Sequence, residues 1–387
     1  DALPIYIAFS IGTKGYMGMG YNYNTFSVSN DFWEYDPATD SWTQKANFGG
    51  TGRQNATAFS VGTKGYVGCG MDASSNAYND FWEYDPSSNT WTQKASPGFG
   101  ARYQAMGFGT ATKGYLGCGY DYTAGVVSDL WEFNPGTNTW AQKTSFGGGA
   151  RSAGVGFSIG SKGYFAGGLD AGNTVNNDIW EFDPASNTWT QKANMPGPGR
   201  WLGVGFAIGS KGYVGTGANT GYTAFYNDFY EFDPVSNTWA TITQMPTLQG
   251  RYQACGFAIG AYGYLINGSS AFGAHNTVYR YYPSLTYSWS SGATTQTLTV
   301  NSSGTYSVLV TNAAGCTGSA STLLNLATQP TISISGSSVL CAGNNVTLTA
   351  SGAGTYTWSG NSGGGNSSSV VLSPTAMTSY SVAGTTG

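Results

Sequence analysis

A repeat of about 49 residues constrains this 387-residue chain more than any other feature of its sequence. A Gly-Tyr pair recurs at successive intervals of 50, 49, 49, 49 and 51 residues, with its tyrosines at Tyr16, Tyr66, Tyr115, Tyr164, Tyr213 and Tyr264. A tryptophan follows nearly the same spacing, at Trp42, Trp91, Trp140, Trp189 and Trp239. A fixed period of roughly 20 to 50 residues is typical of solenoids and propellers, in which each unit buries its faces only against its neighbours.

Each repeat contains four short apolar or alternating stretches bounded by Gly, Pro, Asn or Asp. In the second repeat they are Ala56–Val61, Gly65–Gly70, Phe81–Tyr84 and Thr90–Gln93. Such stretches are strand signals, and no segment shows helical periodicity. Four antiparallel strands per repeat and six repeats predict an all-β, six-bladed β-propeller.

The same repeats resemble the kelch family. The resemblance lies in Arg53, in the Gly68-Cys69-Gly70 step, in the run from Phe81 to Pro86, and in Trp91. It covers residues 1–283 and implies a kelch-type propeller of six blades. The double glycine usual in the family survives only as Gly167-Gly168, because the other copies have Gly-x-Gly or Asn-Gly.

The last part of the chain differs sharply in composition, which indicates a domain boundary. Residues 281–387 contain no Asp, Glu, Lys or Arg. The alternating stretches Thr297–Val300, Tyr306–Val310 and Val346–Ala350 predict strands of β-sandwich modules. The sixth repeat lacks a fourth strand unless Leu285–Ser290 supplies it.

These modules resemble the Ig-like or PKD-like modules of surface proteins from Gram-negative gliding bacteria. We expect a partial module at 284–328 and a second, truncated module at 329–387, in a chain that continues past Gly387. The resemblance implies export to the outer cell surface or the extracellular space by type IX secretion. A bond between Cys316 and Cys341 would fit that oxidising setting.

Charge and hydropathy exclude several partners. The net charge is -4 and the isoelectric point is near 4.9, so the chain has no basic surface for nucleic acid and no polybasic segment for anionic lipid. No window approaches 18 apolar residues, so we expect no membrane insertion.

Residues able to support catalysis are scarce. His275 is the only histidine, whereas a kelch copper oxidase needs two, and a Ser-His or Cys-His hydrolase meets the same shortage of histidine. No CxxC motif occurs, and most acids recur at the same positions of four or five repeats, as scaffold residues do. Asp72, Asp121 and Asp170 recur in only three loops and could help to hold Ca²⁺, but no loop has the dense oxygen ligands of a dedicated site. We expect no cofactor, no metal and no enzymatic activity.

An arginine row offers a candidate ligand site. It consists of Arg53, Arg102, Arg151, Arg200 and Arg251, each 13 residues before its Tyr, and Leu3 takes this place in the first repeat. In the kelch family this residue begins the innermost strand near the mouth of the central channel. Five guanidinium groups there could hold a carboxylate or sulfate. In the alternative, each arginine bonds loop carbonyls or an acid of a neighbouring blade.

Aromatic residues form the second part of the candidate site. Loops between the second and third strands vary between repeats and supply Tyr23, Tyr122, Tyr222 and Tyr226, while Trp201 follows Arg200. Exposed Tyr and Trp beside polar residues suit stacking on sugars or anchoring of a protein. In the alternative, these rings pack on adjacent loops.

These features favour a non-enzymatic, secreted binding or adhesion protein that captures a glycan or protein ligand. A structural or accessory subunit of a larger surface or secretion assembly, with other surface proteins as partners, is the alternative. A glycan-active enzyme would require loop acids that pair across the channel.

Overall fold

The computed structural model describes residues 7–22, 25–242, 250–270, 273–275, 277–282, 285–311, 317–326, 329–359 and 366–385. These residues form strands and turns, and no helix occurs among them. The described part of the chain therefore holds no long apolar helix of the kind that crosses a membrane. The predicted all-β fold is confirmed.

The strands follow one another in the order of the repeats. Those of the first three repeats are β1 (Ile7–Ile11), β2 (Lys14–Asn22), β3 (Ser27–Asp36), β4 (Ser41–Gln44), β5 (Thr57–Val61), β6 (Lys64–Gly68), β7 (Phe81–Asp85), β8 (Thr90–Lys94), β9 (Arg102–Tyr103), β10 (Met106–Gly109), β11 (Gly114–Gly117), β12 (Tyr120–Asp121), β13 (Gly125–Val126), β14 (Leu130–Asn134) and β15 (Thr139–Lys143). Those of the next three are β16 (Arg151–Ser152), β17 (Val155–Ile159), β18 (Lys162–Ala166), β19 (Leu169–Asp170), β20 (Ile179–Asp183), β21 (Thr188–Gln191), β22 (Val204–Ile208), β23 (Lys211–Gly215), β24 (Phe229–Asp233), β25 (Thr238–Ile242), β26 (Cys255–Ile259), β27 (Tyr262–Ile266), β28 (Ser269–Ser270), β29 (Gly273–Ala274) and β30 (Val278–Tyr281). The remainder are β31 (Thr286–Trp289), β32 (Gly304–Thr311), β33 (Thr317–Leu324), β34 (Ser333–Ser335), β35 (Val346–Ser351), β36 (Thr355–Trp358), β37 (Ser369–Leu372) and β38 (Val382–Thr385).

The repeats form six consecutive antiparallel sheets, numbered here in chain order. They are sheet 1 (β1-β2-β3-β4), sheet 2 (β5-β6-β7-β8), sheet 3 (β10-β11-β14-β15), sheet 4 (β17-β18-β20-β21), sheet 5 (β22-β23-β24-β25) and sheet 6 (β26-β27-β30). The first strand of each sheet contacts the first strand of the next, and β26 of sheet 6 contacts β1 of sheet 1. This closed order supports a β-propeller.

Sheet 6 has three strands among the described residues, whereas the other five have four. Leu285–Ser290 does not supply the fourth strand, because β31 in this stretch pairs with β32 and not with β30. The backbone of β31 is therefore committed to another sheet.

Contacts between a phenylalanine and a glycine join neighbouring sheets. The Gly before each repeated Tyr lies against the ring of a buried Phe in the preceding sheet; the pairs are Gly65 with Phe9, Gly114 with Phe59, Gly163 with Phe108, Gly212 with Phe157, Gly263 with Phe206 and Gly15 with Phe257. A Cβ atom at these glycines would lie 1.9 to 2.6 Å from the ring, closer than atoms can approach. This contact explains the repeated glycine.

A second contact between sheets involves the repeated tryptophan. The Trp140 indole donates a hydrogen bond of 2.8 Å to the carbonyl oxygen of Ala95, which follows the last strand of sheet 2. The Ala95 amide donates in turn to Asn138 Oδ1 at 3.0 Å. Asn138 has a left-handed backbone (φ 55°), a conformation that asparagine tolerates in turns. The same two bonds recur at Trp91, Trp189 and Trp239.

The chain divides into two compact units, one of Asp1–Tyr287 with Leu309–Gly318 and the other of Ser288–Val308 with Ser319–Gly387. In the second unit, β34-β35-β37 form one sheet and β36-β38 another, around a core that includes Tyr356, Trp358 and Leu372. The predicted strands at Tyr306–Val310 and Val346–Ala350 are confirmed. The strand predicted at Thr297–Val300 is wrong, since this stretch has no strand pairing.

We predict that Asn138→Ala costs about 2 kcal/mol of unfolding free energy, because it removes one hydrogen bond and places a Cβ-bearing residue without a compensating contact at positive φ. Asn138→Gly is the matched control: it loses the hydrogen bond but tolerates the backbone, so about 1 kcal/mol is expected. Urea unfolding of both variants measures the difference. Equal costs would contradict the assigned role of the backbone.

Candidate binding face at the loop end of the sheets

One end of the ring brings the arginine row and the variable loops together. The residue after an arginine pairs with the loop that follows the second strand, as Tyr103 does with Tyr120, Trp201 with Ala218 and Tyr252 with Ser269. We call this end, formed by the loops between second and third strands and the two residues after each arginine, the loop face.

The arginines of the row are buried, with 0 to 3% of each side chain exposed. Four of them hold an aspartate of their own sheet in a fork of two hydrogen bonds: Arg53 with Asp80, Arg102 with Asp129, Arg151 with Asp178 and Arg200 with Asp228. In sheets 2 to 6 the guanidinium also donates to the carbonyl oxygen of the residue just after the second strand, at 2.9 to 3.0 Å; these acceptors are Cys69, Cys118, Gly167, Thr216 and Asn267. All five acceptor residues have positive φ values of 56 to 62°.

This geometry matches the alternative in which each arginine bonds loop carbonyls and an acid, except that the acid belongs to the same sheet and not to a neighbouring one. The fork donors of Arg53, Arg102, Arg151 and Arg200 are already occupied by carboxylates. Contact of the arginine row with a ligand stays a prediction.

Sheet 6 departs from this pattern. Arg251 donates to Asn267 O at 2.9 Å and to Thr277 Oγ1 at 3.0 Å, and no carboxylate pairs with it among the described residues. Burial lowers the pKa of Arg251, and the Tyr279 ring lies 5.0 Å from its guanidinium carbon. In sheet 1, Leu3 lies outside the described residues, and Asp31 accepts from Ser29 and Trp33.

A ring of backbone hydrogen bonds surrounds the mouth of the channel. Two residues after each arginine stand Asn55, Gln104, Ala153, Leu202 and Gln253, all with φ between 52 and 56°. The backbone amides of the last four members each donate to the carbonyl oxygen of the preceding member at 2.8 to 2.9 Å. They line a cavity of about 110 Å³. The sequence analysis did not predict these hydrogen bonds. The constant separation of two residues between each arginine and each member of the ring could have identified the positions.

Small residues leave an open channel below the mouth. Two further cavities, of about 140 and 180 Å³, are lined by the first strands of all six sheets. Gly, Ala and Ser recur on the strand positions that face these cavities, as at Ala58, Ser60, Gly156 and Ser158. The channel wall is therefore largely backbone and offers few side chains for chemistry.

Two clusters of aromatic side chains lie on the loop face. The first, which we call the Tyr122 patch, contains Tyr103, Tyr120, Tyr122 and Met71. The Tyr122 ring is 5.5 Å from Tyr103 and 6.0 Å from Tyr120, and its hydroxyl is 3.8 Å from Met71 Sδ. Tyr122 is 53% exposed. Burial, and then the neighbouring tyrosines, raise the pKa of Tyr103.

The second cluster, the Trp201 patch, contains Trp201, Tyr222, Phe225 and Tyr252. Tyr222 lies between Trp201 at 5.3 Å and Tyr252 at 5.2 Å, and Phe225 stacks on Tyr252 at 5.1 Å. Tyr222 is 43% exposed. The Trp201 indole donates to Asn219 O at 3.2 Å, which fixes the ring. The two patches belong to sheets 2–3 and 5–6, on opposite sides of the ring.

The other predicted aromatic residues do not join these patches. Tyr226 is half-buried, with its ring 5.0 Å from the Arg200 guanidinium carbon. Tyr23 lies outside the described residues. Of the predicted aromatic residues that the structure describes, Trp201 and Tyr222 are the pair in direct ring contact.

The loop acids hold their own turns. Asp72 accepts from the backbone amides of Ser74 and Asn76, and hydrogen bonds from Asn76 lower the pKa of Asp72 to about 2. Asp121 and Asp170 bond their loops in the same manner. Among the described residues no three His, Cys, Asp or Glu side chains group as metal ligands.

The histidine and the cysteines have structural surroundings. His275 Nε2 lies 2.9 Å from Ser270 Oγ, and burial lowers the His275 pKa. Cys69, Cys118 and Cys255 are buried, and burial raises the pKa of the Cys69 thiol to about 12, so it is a poor nucleophile. Cys341 is exposed, and Cys316 lies outside the described residues.

Comparison with known proteins agrees with this architecture. Residues 100–268 match the family model described as KLHDC2/KLHL20/DRC7 Kelch-repeats domain. No curated protein matches the chain. The match and the all-β fold together fit a kelch-repeat β-propeller, a class whose repeats commonly mediate protein binding and are typically non-catalytic.

We predict that Arg102→Met lowers the unfolding free energy by about 3 kcal/mol, because it leaves the Asp129 carboxylate without its cationic partner and with only the hydrogen bond from the Trp131 indole. Arg251→Met is the control: no carboxylate in the described part of the chain pairs with Arg251, so a smaller loss is expected. Chemical denaturation measures both. Equal losses would show that the carboxylate pair is not the dominant contribution.

The pair of Arg200 and Asp228 predicts a pH dependence. Burial alone would raise the pKa of Asp228, but the hydrogen bond and charge of Arg200 outweigh it and leave the pKa below its ordinary value. A lowered folded-state pKa contributes stability that is present above about pH 4 and is lost as the pH falls through the folded value. The stability gap between wild type and Asp228→Asn should therefore narrow from pH 5 to pH 2, as followed by urea unfolding. A constant gap would contradict this.

Proposed function

We propose that the chain is a non-enzymatic binding protein whose loop face captures a protein ligand through the Tyr122 patch and the Trp201 patch. The observation that carries this proposal is the pair of partly exposed aromatic clusters on opposite sides of one channel mouth. The kelch match supports a protein ligand, because kelch repeats commonly bind proteins.

The chemistry of the patches supports anchoring of a partner. Tyr and Trp offer large contact area at low cost in conformational entropy, and they dominate the energy of many interfaces. In each patch the exposed ring is held by neighbouring rings, so little order has to be gained on binding. The amide side chains of Asn55, Gln104 and Gln253 at the mouth add polar groups between the patches.

A glycan is the second candidate ligand. Tyr222 is exposed beside Asn219 and Thr223, which gives the combination of a ring face and neighbouring polar groups that sugars use. The loop acids already serve their turns, so an enzyme acting on glycans has less support than a binding site for them.

We further propose that the six sheets are the blades of a six-bladed propeller, that Ig-like or PKD-like modules follow it, and that the protein is secreted to the surface of a Gram-negative bacterium. The sandwich-like sheets of the second unit and the charge-free composition of residues 281–387 support this proposal. An accessory subunit of a surface assembly remains the alternative role, in which the same patches would be covered permanently by a partner.

The full chain should bind in a saturable manner to surface proteins of gliding bacteria displayed on an array. Trp201→Ser with Tyr222→Ser, or Tyr122→Ser, should weaken binding roughly tenfold or more. Val235→Ser is the matched control, because Val235 is 91% exposed in a turn at the other end of sheet 5. A glycan array tested in parallel separates the two ligand classes. Binding unchanged by the patch variants would contradict the proposed site, and absence of binding to both arrays would favour the assembly subunit.

A further inference from the structure

Acidic residues are distributed unevenly around the loop face. The residue six positions after each repeated Tyr is an aspartate in sheets 2, 3 and 4 and a neutral residue in the other three sheets; these residues are Asp72, Asp121, Asp170, Asn219, Ser270 and Asn22. The Tyr122 patch belongs to sheets 2 and 3, whereas the Trp201 patch belongs to sheets 5 and 6. The Tyr122 patch therefore lies on the acidic side of the ring and the Trp201 patch on the neutral side.

Two ionised carboxylates adjoin the Tyr122 patch. Asp72 follows Met71, whose sulfur lies 3.8 Å from the Tyr122 hydroxyl, and Asp121 directly precedes Tyr122. Hydrogen bonds from their own turns lower the pKa of both carboxyl groups, that of Asp72 to about 2. Asp72 is half-buried, whereas Asp121 is 7% exposed. At neutral pH the patch therefore carries negative charge, and Asp72 is its more accessible carboxylate.

No basic side chain of the loop face is left to balance these two carboxylates. All 15 lysines and arginines of the chain lie among the described residues. Eight lysines and four arginines pair with an acid, and Arg251 is buried. Lys113 directly precedes β11, and Arg280 stacks on Tyr262 at the start of β27, so both lie toward the opposite end of the sheets.

The arginine nearest to the patch is already neutralised. Arg102 stands opposite Asp121 in the pairing of β9 with β12, but its guanidinium holds Asp129 in a fork of two hydrogen bonds. One guanidinium thus faces two carboxylates. An acidic ligand would be repelled at this side of the mouth, whereas a basic one would be attracted.

The exposed ring of Tyr122 adds a second attraction for a cation. The face of a tyrosine ring attracts an ammonium or guanidinium group, and such a contact is stronger beside a carboxylate than beside neutral groups. The Tyr122 ring is 53% exposed and is supported by Tyr103 and Tyr120. Ring and carboxylate together fit the side chain of lysine or arginine.

We propose that the Tyr122 patch binds a lysine or arginine side chain of the protein that the loop face captures, with Asp72 as its counter-charge. This inference rests on the proposed function and adds the chemical class of the partner segment. The Trp201 patch has Asn219 at the position of these acids. A segment that contacts both patches is therefore basic on the Tyr122 side of the mouth and uncharged on the Trp201 side.

The test measures, by fluorescence anisotropy, the binding of three labelled peptides to the full chain. The probes are Gly-Ser-Arg-Ser-Arg-Ser-Gly and the same peptide with Gln or with Glu at both Arg positions. At low ionic strength the Arg peptide should bind roughly fivefold more tightly than the Gln peptide, and the Glu peptide should bind most weakly. Added salt should reduce the difference, because it screens exposed charges.

Two variants and a matched control locate the contact. Tyr122→Ser and Asp72→Asn should each reduce the preference for the Arg peptide to about twofold or less. Asp170→Asn is the control, because it removes the same charge from a loop that contains no aromatic residue, and it should leave the preference unchanged. Asp170 accepts from the amides of Gly172 and Thr174 as Asp72 does within its own turn, and asparagine keeps a side-chain oxygen for these bonds.

Three outcomes would overturn the proposal: equal affinity for the Arg and Gln peptides, tighter binding of the Glu peptide, and equal loss of preference in Asp72→Asn and Asp170→Asn. The second would assign the contact to the arginine row, and the third would reduce it to the net charge of the chain. The proposed function has a separate readout. If Tyr122→Ser weakens binding to the protein array while the peptides bind equally, the loop face captures its ligand without a basic group.

Discussion

The contact between a phenylalanine of one sheet and a glycine of the next is the constraint on which the ring depends. At Gly163 a Cβ atom would lie 1.9 Å from the Phe108 ring, so the two sheets can approach only because glycine has no side chain. The same contact joins Phe257 of the last sheet to Gly15 of the first. Six identical contacts therefore fix both the spacing of the sheets and the closure of the ring, and the sequence period follows from that geometry.

At the loop end, polar interactions take over the role that aromatic packing has in the sheets. An arginine such as Arg102 ties the aspartate before the third strand to the left-handed residue after the second, here Cys118. Without the arginine, a partly buried carboxylate would lose its cationic partner and a carbonyl oxygen would lose a hydrogen-bond donor. This clamp holds both ends of the variable loop, so the loop between them can change in sequence without loss of the scaffold.

The sequence predicted which residues occupy equivalent positions in the repeats better than it predicted which of these residues contact one another. Periodicity identified the strands of sheets 1 to 5, because each row has the same surroundings in every repeat. It did not show that Arg53 meets Asp80, since residues 27 positions apart are brought together only by the antiparallel pairing of three strands. It also failed at Thr297–Val300, where an alternating pattern lacks a neighbouring strand. The Trp201 patch combines loops of two different sheets, and no pattern within one repeat contains that information.

The candidate functional residues stand at positions where one repeat differs from the others. A residue that recurs in each sheet answers a demand of the scaffold, as the glutamate row does by accepting from the buried tyrosine. Asp72 and Asp121 are acids at a loop position that sheets 1, 5 and 6 fill with Asn or Ser. Trp201 and Tyr222 likewise stand at positions of the loop face that differ between repeats. The Tyr222 ring is 43% exposed, so packing within the protein does not cover it completely. In a symmetric scaffold, a departure that the packing of the repeat does not require is therefore a candidate position for function.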